Sequence, residues 1–194
     1  SRNIRFEGDG YSEEWKEEAL KRGLTNISHV PEAIMRFNAP QSREVLIGEN
    51  IFNENELNCR IEVELEKFTK KVQIESRILG DLAINHIVPT AVFYQNRLLE
   101  NLRGLRETFS PEEYEMLGAD RRELVKEIQL HTLEIKRLVH EMTEARHIAN
   151  RLDSQIKKAY SYEECVSPYM EKIREHIDHL ELEIDDEIWP LPKY

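Results

Sequence analysis

Two cysteines, no surplus of basic charge and no long apolar run exclude several large classes of protein at once. Cys59 and Cys165 lie far apart and form no C-x-x-C pair; both fall in segments that read as helix, so free, buried thiols in a reducing compartment are expected. The formal net charge is −11. A surface that grips phosphates needs excess Lys and Arg, so nucleic acid is an unexpected partner. No stretch approaches the ~20 apolar residues of a membrane span, and no secretory apolar segment opens the sequence, which makes the cytoplasm the expected location and a membrane an unexpected partner. G-x-S-x-G, P-loop and G-x-G-x-x-G motifs are all missing. Ser1 is not a methionine, and the expectation is a fragment or processed product of a longer polypeptide, whose chemistry lies elsewhere.

What the sequence does have is helical periodicity. Of its 194 residues 40% are hydrophobic and 34% charged, the balance of a chain rich in exposed helix. From Asn53 to Leu105 apolar residues recur every three or four positions: Leu57, Ile61, Leu65, Phe68, Val72, Leu79 and Leu82, then Ile87, Ala91, Tyr94, Leu98, Leu102 and Leu105. That spacing keeps one helix face apolar over a length on the order of 75 Å. Asn53 and Glu56 sign its start as a capping-box pair. Pro89 interrupts it: a missing N–H leaves the carbonyl of Asn85 without its donor, and a kink or break is expected there.

Ser110-Pro111-Glu112-Glu113 opens a short helix that Gly118 ends, and Asp120 with Glu123 repeats the capping signal. Leu124, Ile128, His131, Ile135, Leu138, Met142, Ala145, Ala149, Leu152, Ile156 and Ala159 then alternate steps of four and three, a seam suited to a close helical partner. Ser161 and Glu164 read as a further capping box before a last stripe of Val166, Tyr169, Ile173, Ile177, Leu180 and Ile184. The segment 161–187 holds ten acids against two bases, whereas 120–160 holds nine bases against seven acids. Antiparallel pairing of these two segments is favoured, although exposed ion pairs contribute only about 0–1 kcal/mol each. Trp189-Pro190-Leu191-Pro192 reads as an extended apolar tail.

Before all this, residues 1–52 hold short elements: an extended arm or strand at Asn3–Phe6, a helix capped by Ser12 and closed at Gly23, another opening at Pro31, and a turn or two from Ser42 to Gly48. The expected architecture is all-α. Three long helices, 54–105, 120–160 and 162–187, run up-down-up as an elongated antiparallel bundle. The short helices of 1–52 pack on it, with Trp15, Ile34 or Phe37 against the first long helix. The expected organisation is 1–52 as a link to a catalytic body and 53–194 as the bundle with its tail.

Candidate chemistry is thin. Glu144 and His147 form an E-x-x-H pair as in di-iron bundles, but none of the other histidines has a glutamate three residues before it, so the pair reads as solvated surface. His176 and His179 share a helix face without a ligand set around them. His131 on the seam reads as a hydrogen-bonded core histidine. Asp185-Asp186-Glu187 lacks the glycine-centred loop of a calcium site, and Asn85 with His86 beside Pro89 reads as part of a bend. No catalytic, cofactor-binding or metal residue is assigned.

The strings GDGYSEEW (8–15), KRGLTNI (21–27), QIESRILGDLAINHIVPTAVFYQNRLLEN (73–101) and DDEIWPLPKY (185–194), in this order, resemble the C-terminal region of type III glutamine synthetases, large bacterial enzymes known especially from Bacteroides-like anaerobes. The resemblance implies a parent ligase that joins glutamate and ammonia into glutamine, with ATP forming a γ-glutamyl phosphate and Mg or Mn ions holding the phosphates. It places those ligands upstream, so none is carried onto this sequence. It also implies a dodecamer of two hexameric rings, with the parent's own catalytic domain and neighbouring subunits as partners. Two readings follow: a non-catalytic helical domain that supports the ligase or its oligomer, and a free-standing helical module that recruits a protein partner along its seams.

Overall fold

The periodic stripes become helices in the computed structural model, which describes residues 6–193. Among those residues there is no strand. Asn3 to Arg5 lie outside the described residues, and Phe6 is not in a strand. The chain divides into two compact units, residues 1–64 and 65–194.

The first unit carries α1 (Glu13–Lys21), α2 (Val30–Met35) and α3 (Pro40–Gly48), with a 3₁₀ turn at Arg36–Asn38. Ser12 caps α1 by accepting from the Trp15 N–H, and Gly23 takes the left-handed φ of +72° that lets the chain turn out of the helix. Trp15 packs on Phe6 with ring centroids 4.7 Å apart. Pro40, not Ser42, opens α3, its fixed φ suiting the first helical turn; Ala39 before it offers no side-chain cap. Arg43 then gathers Asn38, Asn58 and Glu54 at 2.9–3.1 Å.

Helix α4 (Glu54–Leu82) starts on the expected capping box: Asn53 Oδ1 accepts from the Glu56 N–H at 2.9 Å while Glu56 accepts from the Asn53 N–H at 2.8 Å. Its second-unit part runs into a π-turn (Ala83–Ile87) and then α5 (Val88–Thr108). Pro89 therefore does not break the path. The Val88 N–H reaches back five residues to the Ala83 carbonyl. Widening the turn just ahead of the proline draws its ring off the Asn85 carbonyl, which a regular α-turn would force it against.

After α6 (Pro111–Leu117), with its complete Ser110–Glu113 capping box, α7 (Ala119–Asn150) forms the central helix. Gly118 takes its N-cap position and supplies no side chain, so the Asp120–Glu123 signal is not used as a cap. The expected seam is buried at Ile128, Ile135, Leu138, Met142 and Ala149, but the helix stops at Asn150 rather than 160. A tight turn at residues 151–154 follows, and Ser154 caps α8 (Gln155–Ser161) by accepting from the Lys157 N–H. Ser161 thus lies inside a helix, and no Ser161–Glu164 box starts the last segment. A second π-turn (Tyr162–Val166) leads into α9 (Ser167–Glu183), with Pro168 near its start as Pro89 is in α5. There the Ser167 N–H bonds the Tyr162 carbonyl, and the Ser167 hydroxyl reaches the same oxygen at 3.3 Å.

Side-chain pairs give the directions within the second unit. Gln95 meets Val125 and Gln129, and Gln73 meets Asn150, so α4–α5 runs antiparallel to α7. His131 meets His176, and Asn150 meets Tyr162, so α8–α9 also runs antiparallel to α7. Gln155 with Thr69 and Arg97 with Asp185 make the outer pair parallel. This is the expected up-down-up order, with α7 packed against both neighbours and both π-turns. Its core joins Val72, Ala83, Ile87, Ala91, Ile128, Ile135, Met142, Tyr162, Ile173 and Leu180.

Two further expectations change. The last helix ends at Glu183, not 187; a turn around Asp185, whose carbonyl accepts from the Ile188 and Trp189 N–H groups, tucks Trp189 into the core at 8% exposure. The residues after Glu183 are therefore a folded-back strap rather than an extended tail, held where Lys193 Nζ donates to the Ile184 carbonyl at 3.0 Å; Tyr194 lies outside the described residues. Cys59 and Cys165 are free, as expected, but both are exposed. Each sits on the outward side of its helix, between the positions that carry the buried stripe.

Candidate functional site

Two polar clusters interrupt the otherwise apolar core of the second unit. The first grows from the seam itself. His131 on α7 is half-buried, and its Nδ1 lies 2.9 Å from Nδ1 of His176 on α9. The His179 ring, one turn further along α9, stacks on His131 with centroids 4.9 Å apart. Burial holds the His131 imidazole below its ordinary pKa, and the neighbouring His176 and His179 add to this, while Glu127 acts in the opposite direction. An Nδ1–Nδ1 hydrogen bond needs one donor and one acceptor, so it accommodates a single proton between the two rings. The His131 reading as a hydrogen-bonded histidine of the seam is realised. Its partners, His176 and His179, come from the other helix, and only the register of α7 on α9 brings them together.

The second cluster lies where α7 ends. Tyr162, fully buried at 0% exposure, sends its hydroxyl to Asn150 Oδ1 at 2.9 Å, and Gln73 Nε2 donates to the same oxygen at 3.3 Å. Desolvation raises the Tyr162 phenol above its usual range, against the opposing influence of Arg146, Asn150 and Gln73. Arg146 stands beside it. Desolvation lowers the Arg146 guanidinium, Tyr162 opposes this, and Arg77 lowers it further as a second cation close by. Arg146 Nε is buried with no hydrogen-bond partner among the described residues. Both arginines line one open groove of about 490 Å³ between α4 and α7. The sequence reading passed over this cluster; its only local sign is a tyrosine falling on a core position, at a stripe spacing of four before Val166.

The remaining sequence candidates stay apart. Glu144 and His147 form an exposed pair 3.6 Å apart along α7. Asn85 donates to Asp81 at 2.6 Å, and His86 is exposed on the π-turn. Asp185 is occupied as the acceptor of the Glu187 N–H at 3.0 Å, and Asp186 pairs with Lys193. The charge contrast between the last two helices is met locally: Arg137 bridges Glu134 and Glu141 along α7, and Arg174 pairs with Asp178 along α9. Among the described residues, no group of three or more His, Cys, Asp or Glu side chains is placed to hold a metal ion, and no helix is long and apolar enough to cross a membrane.

Comparison with known proteins agrees with the expected resemblance. The family described as the glutamine synthetase C-terminal domain matches residues 1–106. A glutamine synthetase of Bacteroides fragilis is 70% identical over the whole chain, which covers 27% of that protein. A type-3 glutamine synthetase of Dictyostelium discoideum is 29% identical over 97% of the chain and 26% of its own length. A glutamine synthetase of Butyrivibrio fibrisolvens is 24% identical over 100% of the chain and 27% of its length. The chain thus spans about a quarter of the relatives it matches.

Proposed function

Because the chain belongs to the glutamine synthetase C-terminal domain family, we propose that it is a non-catalytic helical domain of a type III glutamine synthetase, with a role in supporting the catalytic body or its oligomer. In this reading the full polypeptide makes glutamine from glutamate and ammonia with ATP, and this domain supplies none of the reacting groups. The observation that carries it is the 70% identity over all 194 residues to a glutamine synthetase that is about four times longer. The residues here do not fit the ATP and divalent metal of that reaction. Asp185 and Asp186 are engaged by a backbone N–H and by Lys193, and the groove of the two arginines holds a single carboxylate, Asp81.

Support for a scaffold role comes from what the domain leaves uncovered. Leu130 and Leu133 on α7, Ile148 near its end, and Leu182 on α9 are 52–82% exposed. Together with other exposed apolar residues such as Ile74 and Phe93, these side chains suit contact with another body, whether the parent's catalytic domain or a neighbouring subunit. Calorimetry tests the reading directly. The isolated chain titrated with ATP and manganese should give no stoichiometric heat, whereas the full polypeptide should bind both and form glutamine. Stoichiometric nucleotide binding to the isolated chain would overturn the assignment.

A further inference from the structure

We propose that the groove between α4 and α7 beside Tyr162 is a binding site for a carboxylate group. Arg77 from α4 and Arg146 from α7 line this one groove, and neither forms an ion pair among the described residues. Two guanidiniums that share a groove with one carboxylate, Asp81, leave an excess positive charge that an anion would relieve. The buried Arg146 Nε is an unused donor, and an Nε–H with its neighbouring terminal N–H forms the edge that a planar carboxylate fits with two parallel hydrogen bonds.

Charge sets the ligand class. Asp81 lines the same groove, its carboxylate already accepting from Asn85 at 2.6 Å. Two arginines against one aspartate leave a single positive charge, which suits a monoanionic carboxylate better than a phosphate dianion. Thr143 does not add a donor, because its hydroxyl is given to the Val139 carbonyl at 2.8 Å. Ile78 and Val139 complete the walls, so the carboxylate is expected at the end of a short aliphatic stem. Such a group is carried both by small free acids and by acidic side chains on a protein surface.

The test follows the Arg146 Nε–H resonance by NMR in the 194-residue chain, titrated with propionate and separately with an end-blocked Ala-Glu-Ala peptide. Saturable movement of that resonance is expected. Arg77→Gln, at an exposed position on α4, should weaken the binding about tenfold, the worth of one charge-assisted hydrogen bond, with circular dichroism unchanged. Arg146→Lys keeps the charge but removes the Nε donor, and should abolish binding while circular dichroism reports an intact helical fold. Peptide binding at least about tenfold tighter than propionate identifies a protein side chain as the source; equal affinities identify a free acid. Failure of both probes to move the Arg146 resonance, or equal binding by Arg77→Gln, overturns the proposal.

Discussion

Lowering the pH from about 7.5 to about 5.5 should loosen the contact between α7 and α9 before any carboxylate titrates. The His131–His176 bond holds one proton between two rings, and His179 stacks on the same imidazole. His131 is the group whose pKa is lowered by folding, through burial first and its histidine neighbours second. The folded state therefore prefers the neutral ring. Stability is fully present above the unfolded pKa of about 6.5 and falls as the pH drops below it, because the unfolded chain takes up the proton first. One linked proton gives a slope of at most about 1.4 kcal/mol per pH unit. Glu127 faces His131 and opposes the shift, Glu134 faces His176, and the seam is partly open to solvent, so a loss of roughly 1 kcal/mol over the window is expected. Urea unfolding at both pH values measures it. The double variant His131→Gln, His176→Gln keeps a hydrogen-bonding pair but cannot titrate, and should lose less than half as much as the parent sequence. Equal losses in the two proteins would refute the reasoning, since the remaining histidines would then account for the whole effect.

Further expectations concern packing and exposure. Tyr162→Phe removes the hydroxyl that Asn150 accepts from and that lies against Arg146, and should cost about 1–2 kcal/mol in chemical denaturation. Met142→Ala at a position of 0% exposure should cost about 2–5 kcal/mol, and a loss well below 1 kcal/mol would show that the central seam is not closely packed. Both thiols should react with a disulfide reagent in the native state at rates close to those in urea, since Cys59 and Cys165 are exposed; slow native reaction at either would contradict its placement.

The features that the sequence announces are those decided within one turn of helix. Asn53 with Glu56 and Ser110 with Glu113 form their capping boxes because each box closes over three residues and needs no tertiary partner. The end of α7 was hidden for the opposite reason. Leu152, Ile156 and Ala159 continue the four-three spacing across a turn, so the stripe carried no sign of the break, and Ser154 caps α8 without the glutamate that completes a box. Pro89 and Pro168 were visible as disturbances, but whether a helix kinks, stops or widens depends on the helix packed behind it. The polar clusters were the least legible. His131, His176 and His179 could each be assigned to a helix face, yet their meeting depends on the register between α7 and α9. Arg77 and Arg146 line one groove only because α4 and α7 lie antiparallel.

The two π-turns give the second unit an uneven stiffness. Each sits beside α7, and each precedes a proline that donates no backbone hydrogen bond. Alpha7 itself runs 32 residues without such an interruption. A load along the bundle would thus pass through one rigid spar, while its two neighbours yield at a joint each. Near Tyr162 that joint is pinned to the end of the spar through Asn150; at Asn85 and His86 the outer side of the joint is open to solvent. Deflection of the second unit should therefore begin at Ala83–Ile87, and a body seated on α5 would move more freely than one seated on α9.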